Sequence, residues 1–269
     1  MTDFESRNAA GKHVSVVHWG VGTLWDNDFS KWRDPLNRVQ RAGAVSLVDT
    51  WTSSASLRAV ADGTYDSGLR AWAHGASRWP HPFLLRFDWE MNGRWWPWGT
   101  TPSNQNTAAD FVAAWRHVHD IFTAAGATNV RWVWCPNVDP NKMWTNLASL
   151  FPGRAYVDWT CLDGYNNDDP WMSFTKLFAA SYRQITRLAP TKPMIIGEVA
   201  STEHGGSKAR WITDMFHALP RRFRHIRGLV WYDKYGESGI ADWPIETSAT
   251  SSAAFVEGIS RMARTHRRS

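Results

Sequence analysis

Residues 83–99 read FLLRFDWEMNGRWWPWG. The first five suit a buried strand; then come charges, then a crowd of tryptophans. A strand that ends abruptly in polar and aromatic side chains matches the mouth of a parallel α/β sheet, where ligands meet the carboxyl ends of the strands. Arg86, Asp88 and Glu90 are spaced by two, so regular β geometry would point them to one face. A cation and two carboxylates gathered there push their pKa values apart and help one acid keep its proton near neutral pH.

Outward from this stretch, apolar runs alternate with segments of helical period, the pattern of a parallel sheet with crossover helices. The strand candidates are His13–Trp19, Val45–Trp51, Phe83–Asp88, Val130–Cys135, Val157–Asp163, Met194–Glu198 and Leu229–Tyr232. The clearest helices are Thr107–Ala125, Phe174–Leu188, Trp211–Leu219 (stopping at Pro220) and Ser252–Met262. Seven strands are one short of a closed (β/α)8 barrel, and residues 1–12 offer no apolar run for the eighth. No linker divides the 269 residues, so residues 1–269 are read as one domain with an ordered core of about 4–262 and a basic tail, 263–269.

A second informative segment is Lys192–Ser201, KPMIIGEVAS, where a buried strand runs into Gly197 and a lone carboxylate, Glu198. On its own this Glu also admits the lesser reading of an ordinary strand-end carboxylate paired with a neighbouring Arg. Glu90 ends the third strand and Glu198 the sixth, on nearly opposite walls of one mouth. Two carboxylates facing across a cleft are what glycosidic hydrolysis requires. Separations of about 5–5.5 Å suit a retaining mechanism, and about 6.5–9.5 Å an inverting one.

Composition agrees. Nineteen tryptophans against six tyrosines are more than packing calls for, and a flat ring with one polar N–H suits a sugar's apolar face and polar edge. The net charge is +5, but the basic residues are scattered except at Arg261–Arg268, so neither a nucleic-acid face nor a membrane anchor is expected. No stretch approaches the ~18 apolar residues of a membrane span, and MTDFESRNAAGKH has no apolar signal-peptide core. Cys135 and Cys161 are the only cysteines; both lie in apolar strands, so buried thiols are expected rather than a bridge.

RFDWEMNGRWWPWG, followed by AWRHVHDIF, GATNVRWVWCPN, YVDWTCLDGYN and PMIIGEVAS, resembles glycoside hydrolase family 26 from about Phe4 to Trp231. The resemblance implies a (β/α)8 barrel whose first strand would lie upstream of Met1, residues 4–12 matching the helix after it. It implies an endo-acting retaining β-glycan hydrolase, with Glu90 as acid/base and Glu198 as nucleophile. Mannan is the expected substrate, with β-1,3-xylan or mixed-linkage glucan as alternatives. It also implies that Tyr165 contacts the nucleophile, that Trp231 is an aromatic floor, that Trp95, Trp96 and Trp98 line subsites, and that Arg86 and Asn137 belong to the polar shell. No cofactor or metal, a monomer and an extracellular location are expected on the same ground. One departure stands out. Where many members carry His immediately before the acid/base, this chain has Trp89, preceded by Asp88. Trp cannot accept a hydrogen bond from a sugar hydroxyl, so Asp88 is the candidate for that role.

Other signals weigh less. His117 and His119 sit at i and i+2 of a helix and point to different sides. Asp168–Asp169 reads as a helix-start cap, and Asp233 and Glu237 as candidates for the cleft edge. Gly205–Gly206 lacks phosphate-loop spacing. His18 and Asp49 are the only strand-end candidates for a metal-dependent hydrolase. A non-catalytic carbohydrate-binding barrel is the competing reading from another class.

Overall fold

The computed structural model describes Glu5 and residues 12–140, 146–167, 169–234 and 242–266. Seven parallel strands pair in chain order: β1 Val16–Gly22, β2 Val45–Thr50, β3 Phe83–Phe87, β4 Val130–Trp134, β5 Trp159–Asn166, β6 Met194–Ser201 and β7 Ile226–Trp231. The helices are α1 Arg33–Arg41, α2 Leu57–Ala61, α3 Asp66–Ser77, α4 Ala108–Ala124, α5 Phe174–Leu188, α6 Lys208–Arg222 and α7 Ala249–His266. The edge strands β1 and β7 also touch each other. This is the (β/α)8 arrangement with seven strands among the described residues.

Alternation along β3 sorts its side chains. Phe83 and Phe87 face the helices, meeting Trp72 of α3 and Trp115 of α4 at ring distances of 6.2 and 6.1 Å. Arg86 is left to the other side, the interior of the curved sheet. Burying each such aromatic ring stabilises the layer by about 1.5–3 kcal/mol. The α4 helix carries its start signal in sequence: Thr107 and Asp110 form a reciprocal capping box, and Gly126 follows at φ +70°. Its apolar stripe, Phe111, Trp115, Val118 and Phe122, is buried as its spacing predicts.

Several boundaries differ from the sequence expectation. The first strand is Val16–Gly22 rather than His13–Trp19. Its glycines look like strand breakers, but a side chain at Gly20 would come within 2.9 Å of the Trp51 ring. The strands β5 and β6 each run three residues further than expected, across register shifts at Leu162/Asp163 and between Ile196 and Val199. The α6 helix continues two residues past Pro220 to Arg222.

The cysteines also depart from expectation: Cys135 and Cys161 form a disulfide. The register pairs Val133 with Trp159 and Trp134 with Thr160, which makes the two cysteines the next facing pair across β4 and β5. The expected absence of a strand before His13 falls largely on residues 1–4 and 6–11, outside the described residues, as do Asp168 and Glu237.

Candidate active site

One buried cation organises the carboxyl ends of the strands. Arg86 has no exposed surface, and its guanidinium reaches four neighbouring strands. It donates to both oxygens of Asp49 on β2, from Nε at 2.7 Å and Nη2 at 2.6 Å. It also donates to Asp163 on β5, at 2.5 Å, and to Oε1 of Glu198 on β6. His18 Nε2 on β1 lies 3.0 Å from Arg86 Nη2 and 2.6 Å from Asp49 Oδ2.

Gly197 makes this convergence possible. A Cβ there would stand 2.7 Å from Arg86 Nη1, Asp163 Oδ1 and Cys161 Sγ. His18, Asp49 and Glu198 offer ligand atoms close together, as a metal site would. Both Asp49 oxygens and Glu198 Oε1 accept from the guanidinium, so the cluster is an ion-pair network whose cation is Arg86. Burial pushes the Asp49 carboxyl up, but Arg86 and His18 outweigh it and hold it below the ordinary range. Asp163 is raised well above that range, because burial exceeds the relief from Arg86 and the neighbouring carboxylates add repulsion.

Glu198 is 8% exposed, so it is open to the cleft while Arg86 holds one oxygen. The Tyr165 hydroxyl donates to the other, Oε2. Burial and the Glu198 charge raise the Tyr165 pKa, which keeps it a donor. The carboxylate is thus oriented through both oxygens. Tyr165 is itself packed by Tyr232 at 5.6 Å and Trp243 at 5.2 Å.

Glu90 does not extend the strand. The chain turns after Phe87 with positive φ at Asp88 (+44°) and Glu90 (+54°), so the two-residue alternation ends at Arg86. The turn is held by Glu90 N donating to the Cys135 carbonyl at 2.7 Å. The Asn92 side chain locks the two loops together through the Asn137 backbone: Asn92 Nδ2 donates to the Asn137 carbonyl at 2.9 Å, and Asn137 N donates to Asn92 Oδ1 at 2.8 Å. Glu90 Oε1 accepts from Asn137 Nδ2, and Oε2 accepts from Trp95 Nε1 at 2.6 Å and Trp96 Nε1 at 2.8 Å. Burial and the charge of Glu198 nonetheless raise its pKa above the ordinary carboxyl range. The two acids share one electrostatic neighbourhood although 108 positions separate them in the chain.

The remaining sequence candidates separate by burial. Trp95 is 47% exposed and free to meet a ligand with its ring. Trp96 is partly buried and stacks on Trp98 at 5.1 Å. Trp98 itself is enclosed, its Nε1 donating to the Trp89 carbonyl at 2.7 Å. Trp89 presents its ring to the Arg86 guanidinium at 5.2 Å.

Two candidates lie elsewhere. Asp88 is fully buried and accepts from Thr52 N at 2.8 Å, so it has no surface with which to meet a sugar hydroxyl. Trp231 points to the helix side, against Trp211 of α6 and Phe255 of α7, with Nε1 donating to the Trp243 carbonyl at 2.8 Å. Period-two alternation on β7 turns the next residue, Tyr232, toward Tyr165 instead. The roles of His18, Asp49, Asp163, Tyr232 and Trp243 were missed in sequence. Only the strand-end placement of His18 and Asp49 gave a signal, and it read as a metal pair.

The sequence model of glycosyl hydrolase family 26 matches residues 76–214, over half of the chain, including the Glu90 turn and the Glu198 strand. The chain belongs to glycosyl hydrolase family 26. Among its relatives is Endoglucanase H of Acetivibrio thermocellus, 34% identical over 257 residues, covering 93% of this chain and 28% of that protein. A mannan endo-1,4-beta-mannosidase of Bacillus subtilis is 30% identical over 159 residues, covering 57% of this chain and 40% of that one. The family 26 chain thus spans well under half the length of these relatives. Its fold is that of the catalytic domain of a Bacillus sp. JAMB-750 endo-beta-1,4-mannanase, with a TM-score of 0.72 at 19% identity over 95% of this chain and 78% of that one.

Proposed function

We propose that this family 26 protein is an endo-acting retaining β-glycan hydrolase, with Glu198 as nucleophile and Glu90 as acid/base. The observation that carries the reading is the setting of the two acids: Arg86 and Tyr165 hold Glu198 through both oxygens, Trp95, Trp96 and Asn137 hold Glu90, and burial together with the Glu198 charge raises the Glu90 pKa. In the first step the Glu198 carboxylate attacks the anomeric carbon. The glycosidic C–O bond breaks, and the leaving oxygen takes the Glu90 proton. Esterified Glu198 no longer carries a charge, so its upward pull on Glu90 disappears. Glu90 then accepts a proton from the water that cleaves the ester, releasing the sugar and restoring both groups. Arg86 and Tyr165 orient the nucleophile throughout, and neither cofactor nor metal enters the scheme. All of these groups come from one chain, which suits a monomer, and a polymeric substrate places the work outside the cell.

Mannan is the first substrate of this reading, supported by the relative named mannan endo-1,4-beta-mannosidase. A β-glucan is the second. It is favoured by Trp89 standing where the family resemblance expects a His, and by the Endoglucanase H match running over 93% of the chain. Product analysis on mannan, mixed-linkage glucan and β-1,3-xylan decides among substrates.

Two variants test the roles. Glu198→Ala is expected to abolish turnover while glycan binding persists. Glu90→Ala is expected to slow polysaccharide cleavage by about 10²–10⁴-fold and to spare activated aryl glycosides, which need no protonation. Equal losses on both substrate types would overturn the acid role, and binding without product by the unmodified protein would overturn the enzymatic reading.

A further inference from the structure

The mechanism above leaves one buried cation unused. Lys208 opens α6, the helix that follows the Glu198 strand, and has no exposed surface. Both facts run against ordinary preference. The helix dipole disfavours a positive charge at this end, and no acidic residue in the first turn offsets it. Burial pulls the ammonium's pKa below the ordinary lysine range, against the opposing charges of Asp242, Glu203, Asp233 and Glu246.

The three donors of this ammonium all go to one short segment. Nζ donates to the carbonyls of Asp242 and Pro244, the latter at 2.9 Å, and to the Thr247 hydroxyl at 2.7 Å. Between them, the Trp243 carbonyl accepts from Trp231 Nε1 at 2.8 Å. Three successive carbonyls, in a stretch without regular secondary structure, thus accept from side chains, which fixes the backbone on both sides of Trp243. The loop after β6 repeats the tie. Glu203 N donates to the Asp242 carboxylate at 3.1 Å, and Glu203 Oε1 accepts from Thr247 Oγ1 at 3.1 Å and Ser248 Oγ at 2.7 Å.

What the segment holds in place is the Trp243 ring, 5.2 Å from the ring of Tyr165, whose hydroxyl donates to Glu198 Oε2. The other ring beside Tyr165, that of Tyr232, is placed by the sheet, since Tyr232 N donates to the Val199 carbonyl at 2.9 Å. Trp243 lies past the end of β7 and belongs to no strand.

We infer that Lys208 is a positioning residue for the reaction: it fixes Trp243 against Tyr165 and so keeps the tyrosine hydroxyl on the nucleophile. The inference rests on the hydrolase reading with Glu198 as nucleophile and adds to it a residue buried behind the cleft. The effect of Lys208 on the reaction passes through Trp243 and Tyr165, because its bonds all go to the 242–247 segment.

Steady-state kinetics on whichever glycan the unmodified protein cleaves tests this. Lys208→Met removes the donors and keeps most of the stem. Slight misplacement of a catalytic group costs up to about 10²-fold in rate, so kcat should fall at least about tenfold while KM stays within about twofold. A cycle with Tyr165→Phe separates positioning from mere support of the fold. Tyr165→Phe removes the hydroxyl through which Lys208 acts and keeps both acids, so a rate remains to be measured. In that background Lys208→Met should cost less than about twofold further in kcat. A residue that only staples the fold would cost the same factor in both backgrounds. Thr247→Val withdraws one acceptor and keeps the ammonium, and it serves if Lys208→Met does not fold; its smaller loss in kcat should likewise vanish beside Tyr165→Phe. Equal losses in the two backgrounds overturn the inference, as does an unchanged kcat in the variant that folds. Failure of the hydrolase reading looks different: the unmodified protein releases no product from any of the glycans.

Discussion

Asp88 shows how one residue can be read correctly for chemistry and wrongly for place. Its spacing from Arg86 and Glu90 suggested a ligand-facing carboxylate. The positive φ at position 88 instead turns it inward, where Oδ1 accepts from Thr52 N, while Oδ2 and the nearby Thr52 hydroxyl have no hydrogen-bond partner among the described residues. Burial raises its pKa well above the ordinary aspartate range, so the folded protein favours the neutral carboxyl. A raised folded pKa helps the fold below about pH 4, the unfolded value, and that help is lost as pH climbs toward the folded value. Asp88→Asn keeps the shape and cannot ionise. Its melting temperature should match the wild type near pH 4 and exceed it by a few degrees at pH 8; parallel pH curves would count against a neutral Asp88. Trp95 offers a second test. Its N–H donates to Glu90 and lowers the acid's pKa, so Trp95→Phe should raise Glu90 further and move the basic limb of the kcat/KM profile to higher pH. A limb that stays put or moves down would remove Trp95 from the acid's environment. That Glu90 follows and Glu198 closes an apolar run was legible because polar residues ending such runs are few, whereas the contact of Tyr165 with Glu198 was reached only through the family resemblance. Trp231 was misplaced because a one-residue step along β7 decides which face a ring takes.

At the level of elements, the strands could be read from their apolar runs, and α4 from its capping box and stripe. Three helices escaped notice for a physical reason. In α1 only Leu36 and Val39 are buried, too few to set a period. In α3 two glycines look like breakers, yet each marks a close approach. A Cβ at Gly68 would lie 2.5 Å from the Trp25 carbonyl oxygen, and one at Gly75 would lie 2.5 Å from Phe29 Cβ. The α2 helix, Leu57–Ala61, is too short for pattern to show. The same reasoning applies to β6, where Gly197 yields its side-chain space to the guanidinium. Gly197→Ala should cost about 1–3 kcal/mol through overpacking and should lower kcat/KM by displacing Glu198. Chemical denaturation and steady-state kinetics on that variant check both effects. Full stability together with full activity would mean the space is not tight.

Across the whole molecule, the disulfide and the central cation act on the same region. Cys135–Cys161 closes a loop with a sequence separation of 26 between β4 and β5, where a short 3-10 turn, Arg154–Tyr156, is the described helical element. Chain entropy assigns such a loop about 3–4 kcal/mol. The double variant Cys135→Ala, Cys161→Ala should lower the denaturant midpoint accordingly, and reductant should bring the wild type to nearly the same value. A wild type indifferent to reductant would argue against the bridge. The bridge escaped the sequence because two cysteines in separate apolar runs say nothing of register. The Arg86 cluster joins β1, β2, β3, β5 and β6 at a single level of the sheet. Separating any of these strands from its neighbours at that level would stretch bonds to the same guanidinium. Opening there has little room to proceed strand by strand. Deuterium uptake by the central amides of these five strands should thus follow one common opening event, slow in all of them together.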